Sequence, residues 1–375
     1  MTSAFIFLLV SPICVFRQPA RALASPGPLT SRIAWVTEPL PDVFRQIQYR
    51  LLGIVSGVYL EPSYANLTTM REVFSLVESG ISKNDTSAIF TASSLASQMK
   101  YQLLPVNDSA TGHKFYVLVE DSNVNRGWGS YFFVAEPSPV SSPRVTIEAP
   151  HPVTDFNSQN IAYDIFLGAY PRIAAFILSG AERTYGPSGQ TDMAHRTLSV
   201  FETANEVSAT PGSIVIQIHS FAADRHPGYP MAVLSTGDGG TNGALQSIAE
   251  SLSSSGITVG VFDGYSYESL GDQLGAQGRY VRAVGAGYVH AEISTTVVFN
   301  STLIPVLENS FVRSINGGFR FPSYRIDLII PAITLTVVAG VFFDRLRFSR
   351  SPAKRGTPLT VMMTPCEPVS PYPEL

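Results

Sequence analysis

The chain has 375 residues, 45% hydrophobic and 14% charged, enough for a large globular core with flanking segments. A net charge of −4 supplies no basic surface, which sets nucleic acid aside as a partner. The two cysteines, Cys14 and Cys366, leave the interval between them without thiols, so a metal there must be held by histidines and carboxylates.

Residues 4–16 form an apolar run followed by Arg-Ala-Leu-Ala-Ser, so residues 1–24 read as a signal peptide cleaved near Ala24, although no basic residue precedes the run. Four sequons, at Asn66, Asn84, Asn107 and Asn300, fit glycosylation along a secretory route to the exterior or the cell surface. Residues 26–50 are proline-rich and irregular, and 51–105 carry apolar positions at helical spacing. Together 25–112 are expected to form a partly helical N-terminal extension without chemistry of its own.

From Lys114 the pattern changes to short β-branched and aromatic runs, at 115–120, 131–135 and 145–147. Further strands are expected over 173–178, 213–218, 231–234, 257–262 and 288–298, with helices over 157–170, 193–207 and 244–253 between them. Strands alternating with helices predict an α/β fold with a mostly parallel sheet covered on both faces. Residues 303–323 show no clear period. Residues 328–343 are uncharged and followed by a basic cluster, which reads as a membrane-spanning helix with a cytoplasmic tail at 344–375; a buried core helix is the alternative.

The stretch at 144–155 concentrates the chemistry. Its strand must stop at Ala149-Pro150, because proline cannot continue a central ladder, and this gathers Glu148, His151 and Asp155 at the strand's end. A histidine and a carboxylate four residues apart on one turn can chelate one ion. His219, after the alternating run Val-Ile-Gln-Ile, can emerge at the same sheet edge or be a hydrogen-bonded core histidine, and Glu292 lies far downstream. Asp192 is either an N-cap or, with His195, part of the site's surroundings. Glu182-Arg183 either holds a substrate carboxylate through the guanidinium fork or makes a surface ion pair. The glycine loop 237–243 lacks the lysine and spacing of a phosphate loop and reads as a connecting turn, and no Gly-x-Ser-x-Gly elbow occurs.

Taken in order, Ile-Glu-Ala-Pro-His-Pro-Val-Thr-Asp, Ile-Leu-Ser-Gly-Ala-Glu-Arg, Thr-Asp-Met-Ala-His-Arg, Ile-Gln-Ile-His-Ser-Phe and Tyr-Val-His-Ala-Glu-Ile-Ser resemble the zinc-carboxypeptidase-like superfamily. The nearer likeness is to its amidohydrolase branch, with the phage-type poly-γ-glutamate hydrolases, over roughly residues 113–300. The resemblance implies a mostly parallel or mixed sheet flanked by helices (phosphorylase/hydrolase-like), a catalytic domain over 113–302 and a connector over 303–327. It also implies Zn2+ on His151, Asp155 and His219, with Glu292 as general base. It places no substrate arginine, for which Arg183 and Arg196 are the candidates, and His195 is read from its own surroundings as a contact to substrate or to the groups behind the metal ligands. Two departures stand out: the carboxylate is an aspartate at the fourth position after His151 instead of a glutamate at the third, and Glu182 stands where related sequences tend to carry histidine. The expected function is a secreted or membrane-tethered zinc hydrolase of an amide or peptide bond; the alternative is a catalytically silent cell-surface binding protein on the same fold.

Overall fold

The computed structural model describes residues 34–54, 59–136, 143–184 and 189–319. The apolar runs at 4–16 and 328–343 and the tail at 344–375 lie outside these residues. Among the described residues no helix is long and apolar enough to cross a membrane.

The elements run β1 (Val36–Glu38), α1 (Leu40–Ile54), α2 (Tyr64–Lys83), α3 (Thr86–Gln98), β2 (Tyr101–Asp108), β3 (Lys114–Glu120), β4 (Ser130–Val134), β5 (Val145–Ala149), α4 (Ser158–Gly168) and β6 (Ile173–Leu178). They continue with α5 (Val200–Ser208), β7 (Ile214–Phe221), β8 (Ala232–Ser235), α6 (Gly243–Ser254), β9 (Val259–Val261), α7 (Ala276–Ala283), β10 (Gly287–Ser294), α8 (Thr295–Val298) and α9 (Leu303–Asn316). The described strands form one sheet in the order β1-β2-β3-β4-β6-β5-β7-β10-β8-β9. Its centre, β6-β5-β7-β10, is parallel, while β4 and β8 run antiparallel to their neighbours β6 and β10, so the sheet is mixed.

Strand alternation assigns each residue to a layer, because successive side chains point to opposite faces. On one face Val145, Ile147, Phe176, Ile216, Ile218, Val289, Ala291 and Ile293 form a continuous apolar core with Phe44 of α1, Phe166 of α4, Ile248 of α6 and Phe311 of α9. On the other face the outer strands are apolar too: Leu118, Tyr131, Phe133, Ala175 and Ile177 pack against Val73 and Phe74 of α2, Ile89 of α3 and Phe201 of α5. At the central strands that second face turns polar. Glu148 of β5, Gln217 and His219 of β7, and Tyr288, His290 and Glu292 of β10 all project from it.

Three stretches add to or differ from the sequence expectation. Within 25–112, expected as a partly helical N-terminal extension, the described residues also supply strands: β1 pairs with β2, β2 pairs with β3, and Leu40, Val43, Phe44 and Ile47 join the main core. The run 101–108 alternates buried and exposed residues at its start, a strand period hidden behind the helical stretch before it. Within the expected connector, α9 buries Leu307, Phe311 and Ile315 against the core at spacings of four, a helical stripe interrupted by polar Ser310 and Ser314 that still hydrogen-bond inside the fold. The expected helix over 193–207 is split into a single 3-10 turn, Met193–His195, and α5, which Ser199 caps by accepting from Glu202 N. Of the sequon asparagines, Asn84 and Asn300 are exposed, whereas Asn66 and Asn107 are half-buried and Asn66 closes a capping box with Ser63 at the start of α2.

Candidate metal centre

Pro150 ends β5, and the chain then winds back on itself through a backbone bond from Asp155 N to His151 O of 2.9 Å. That turn brings His151 and Asp155 together, with Nδ1 3.3 Å from Oδ2. His219, near the end of the adjacent β7, places its Nδ1 2.7 Å from the same Oδ2. His151, Asp155 and His219 are 1%, 5% and 3% exposed, and each offers one ligand atom within 4.8 Å of the others. The three residues that the sequence singles out thus meet at one point.

The remote ring nitrogens are tied down as well. His151 Nε2 lies 2.8 Å from Asp192 Oδ1 and donates to it. His219 Nε2 lies 2.9 Å from Gln217 Oε1. Gln217 uses its amide hydrogens on Glu148 Oε2 at 3.0 Å and Gln277 Oε1 at 3.3 Å, so its oxygen faces His219 as an acceptor and His219 Nε2 must carry the proton. With both rings neutral, each Nδ1 presents a lone pair toward Asp155 Oδ2, and two imidazoles with one carboxylate are a donor set able to hold a zinc ion with a position left open. Nδ1 ligands whose Nε2–H is fixed by a carboxylate or amide are the arrangement by which proteins orient such ligands.

Charge follows the same geometry. Burial pushes His219 below the usual histidine range despite Asp155. Burial also depresses His151, but hydrogen bonds and charge from Asp155 and Asp192 outweigh it and hold the ring above its ordinary value. Asp192, which burial alone would raise, is held well below the carboxylate range by His151, His195 and Arg183. It makes no cap bond to the turn that follows, so the N-cap reading fails. Instead its carboxylate is a hub, with Arg183 Nε at 3.3 Å and His195 Nδ1 at 3.1 Å on the second oxygen.

Glu292 pairs in register with His219 across β10 and β7, and both side chains line a cavity of about 290 Å³ with His151, Arg183, His195, Asp272 and His290. Burial first, and Asp155 second, push the Glu292 carboxyl well above the usual range, and its Oε2 has no hydrogen-bond partner. Arg183 and His195, candidates for substrate contact, both line the cavity. Arg196 does not line it: its guanidinium pairs with Glu61. Glu182 is also turned aside, accepting from Thr154 Oγ1 at 3.1 Å and Thr184 Oγ1 at 2.6 Å.

Behind His151, Asp155 and His219 lies a polar layer of which the sequence singled out only Glu148. Gln277 Nε2 donates to Glu202 Oε2 at 2.7 Å and to Met193 O at 3.0 Å, and Tyr288 OH sits 2.8 Å from Asp272 Oδ2. Burial, with Asp272 adding repulsion, pushes Glu148 up to about 8. Burial and then Glu148 push Glu202 well above its ordinary range. The signal was present as strand period: Gln217 is two residues from His219, and Tyr288, His290 and Glu292 follow one another at steps of two.

No known family and no curated protein sequence matches this chain. Among solved structures it is similar to a bacteriophage poly-gamma-glutamate hydrolase at 13% identity and a TM-score of 0.32, over 46% of this chain and 83% of that one. It is also similar to an N-acetylmuramoyl-L-alanine amidase from Clostridium difficile 630 (14%, 0.30, 47% and 96%) and to a metallo-carboxypeptidase from Burkholderia cenocepacia (10%, 0.32, 50% and 60%). Likeness at this level leaves the chemistry to be read from the chain's own residues.

Proposed function

We propose that the protein is a zinc-dependent hydrolase of an amide or peptide bond. One observation carries the reading: His151 Nδ1, His219 Nδ1 and Asp155 Oδ2 converge, with the remote nitrogens tied to Asp192 and Gln217, beside a cavity that Glu292 lines. What zinc would supply in such a ligand set is Lewis acidity, which lowers the pKa of a bound water toward about 7 and polarises a carbonyl. The protein's own contribution is the proton path. Glu292, in the carboxylate form that a cation in the neighbouring ligand set would favour, would take a proton from the attacking water and deliver it to the leaving amine; burial, which raises its proton affinity, strengthens it as a base. Arg183, held at the cavity wall by Asp192, is the fixed guanidinium available to orient a carboxylate or carbonyl oxygen of the substrate. Action on the exoplasmic side is part of the proposal and rests on the apolar run at 4–16 and the sequons.

The test uses the full chain. Plasma mass spectrometry is expected to find zinc in the natural protein and none in His219→Ala. A panel of N-acyl amino acids, α-dipeptides and γ-glutamyl peptides is expected to include a substrate whose turnover Glu292→Gln abolishes while metal content stays. A protein that takes up no zinc, or turnover that survives Glu292→Gln, rules the mechanism out.

A further inference from the structure

We propose that the pocket holds a second cation seat, formed by His219, His290 and Glu292, which a single ion occupies in exchange with the seat at His151, Asp155 and His219. The inference rests on the metal reading above and deepens it. His219, His290 and Glu292 each offer one ligand atom within 4.8 Å of the others, so they form a second complete triad. Strand alternation produces it: His290 and Glu292 project from one face of β10, and Glu292 stands beside His219 of β7 in the ladder. His290 is 3% exposed, lines the cavity, and has a buried Nδ1 without a hydrogen-bond partner; Glu292 Oε2 is buried and equally unpartnered. Buried polar atoms in native folds are almost always satisfied, and two orphans in one triad are what a site for an ion leaves.

The seats exclude one another because they share His219. Gln217 occupies its Nε2, which leaves one ring nitrogen and one lone pair to serve one ion at a time. The two donor sets match in type, imidazole twice and carboxylate once, so neither is preferred by ligand softness. They differ in consequence. In the first seat Glu292 is free to move a proton; in the second its carboxylate is a ligand and cannot. The second seat is therefore a resting state, and whatever favours it switches the site off without losing the metal.

Titration of the full chain with Co2+, followed by its visible absorption, tests this. The natural protein is expected to saturate at one ion per chain with a spectrum of two components, one of which disappears in His290→Gln. That variant keeps the whole first seat, so its reading does not depend on losing a primary ligand. Asp155→Ala, checked for folding by circular dichroism, is expected to retain one weaker ion, and adding His290→Gln to it should weaken binding at least about tenfold further. Two ions per chain at saturation overturn the sharing of one ion between the seats, and spectra and affinities indifferent to His290→Gln in both backgrounds overturn the second seat; the first stands in either case. A natural protein that binds no ion overturns the hydrolase reading itself.

Discussion

Gln217 Oε1 faces His219 Nε2 at 2.9 Å while Gln217 Nε2 donates to Glu148, so a buried amide dictates which nitrogen of His219 is left for a metal. Gln217→Leu removes that dictation without touching a ligand. Zinc affinity is expected to fall about 10- to 100-fold, the usual effect of losing the partner behind a metal-bound histidine, and Asp192→Asn should act alike through His151. Competition against a chromophoric chelator measures both. Affinities within twofold of the natural chain would mean that the amide only fills space.

Zinc should stabilise the fold by mass action, since the unfolded chain has no assembled triad. At a free concentration about a thousand times its Kd the gain is roughly 4 kcal/mol. Thermal melts with added zinc and with a chelator are expected to differ clearly for the natural protein. For His219→Ala, which removes the shared ligand, the two curves should coincide.

Stability should also depend on pH through Glu148. A glutamate ordinarily releases its proton near 4.5, but in the fold burial, with Asp272 adding repulsion, moves this to about 8. Between these values the folded state binds the extra proton, so Glu148's contribution is greatest below the ordinary pKa and is lost as pH rises through the folded one. Glu148→Gln mimics the protonated form at all pH. Its melting temperature relative to the natural protein should therefore rise between about pH 5 and about pH 9; a constant difference would show that Glu148 does not titrate in that window.

Gly180 follows β6, where the chain turns toward Arg183. A Cβ added there would lie 2.6 Å from Gly129 N and 2.8 Å from Gly127 C, both backbone atoms that cannot swing aside. Gly180→Ala is expected to cost about 1–3 kcal/mol through overpacking, read by denaturant unfolding. Gly189→Ala is a control for space: a Cβ there meets nothing, and only its left-handed φ of 68° opposes the change.

Much of the half that carries the candidate site was legible because its signals are local. Pro150 announces the end of β5, β-branched runs mark β5, β6 and β7, and a His and an Asp four apart on one turn meet as expected. What failed to show depends on partners far along the chain. Asp192 looks like a helix cap until His151 arrives from 41 residues earlier. Arg196 looks available to substrate until Glu61 takes it. The strand at 101–108 follows a helical stretch with only a glycine-free turn between, and α9 dilutes its apolar stripe with serines; in both cases tertiary packing decided what local pattern left open.

The position of β10 has a bearing on how the molecule comes into being. Among the described strands it is the last to be synthesised, yet it lies inside the sheet between β7 and β8 instead of at an edge. His151, Asp155 and His219 are all made before it, and His290 and Glu292 arrive only with it. A nascent chain that has not reached this strand therefore lacks two of the residues that line the cavity, and β7 and β8 are left without the strand that joins them. The pocket is completed only by the insertion that also closes the sheet.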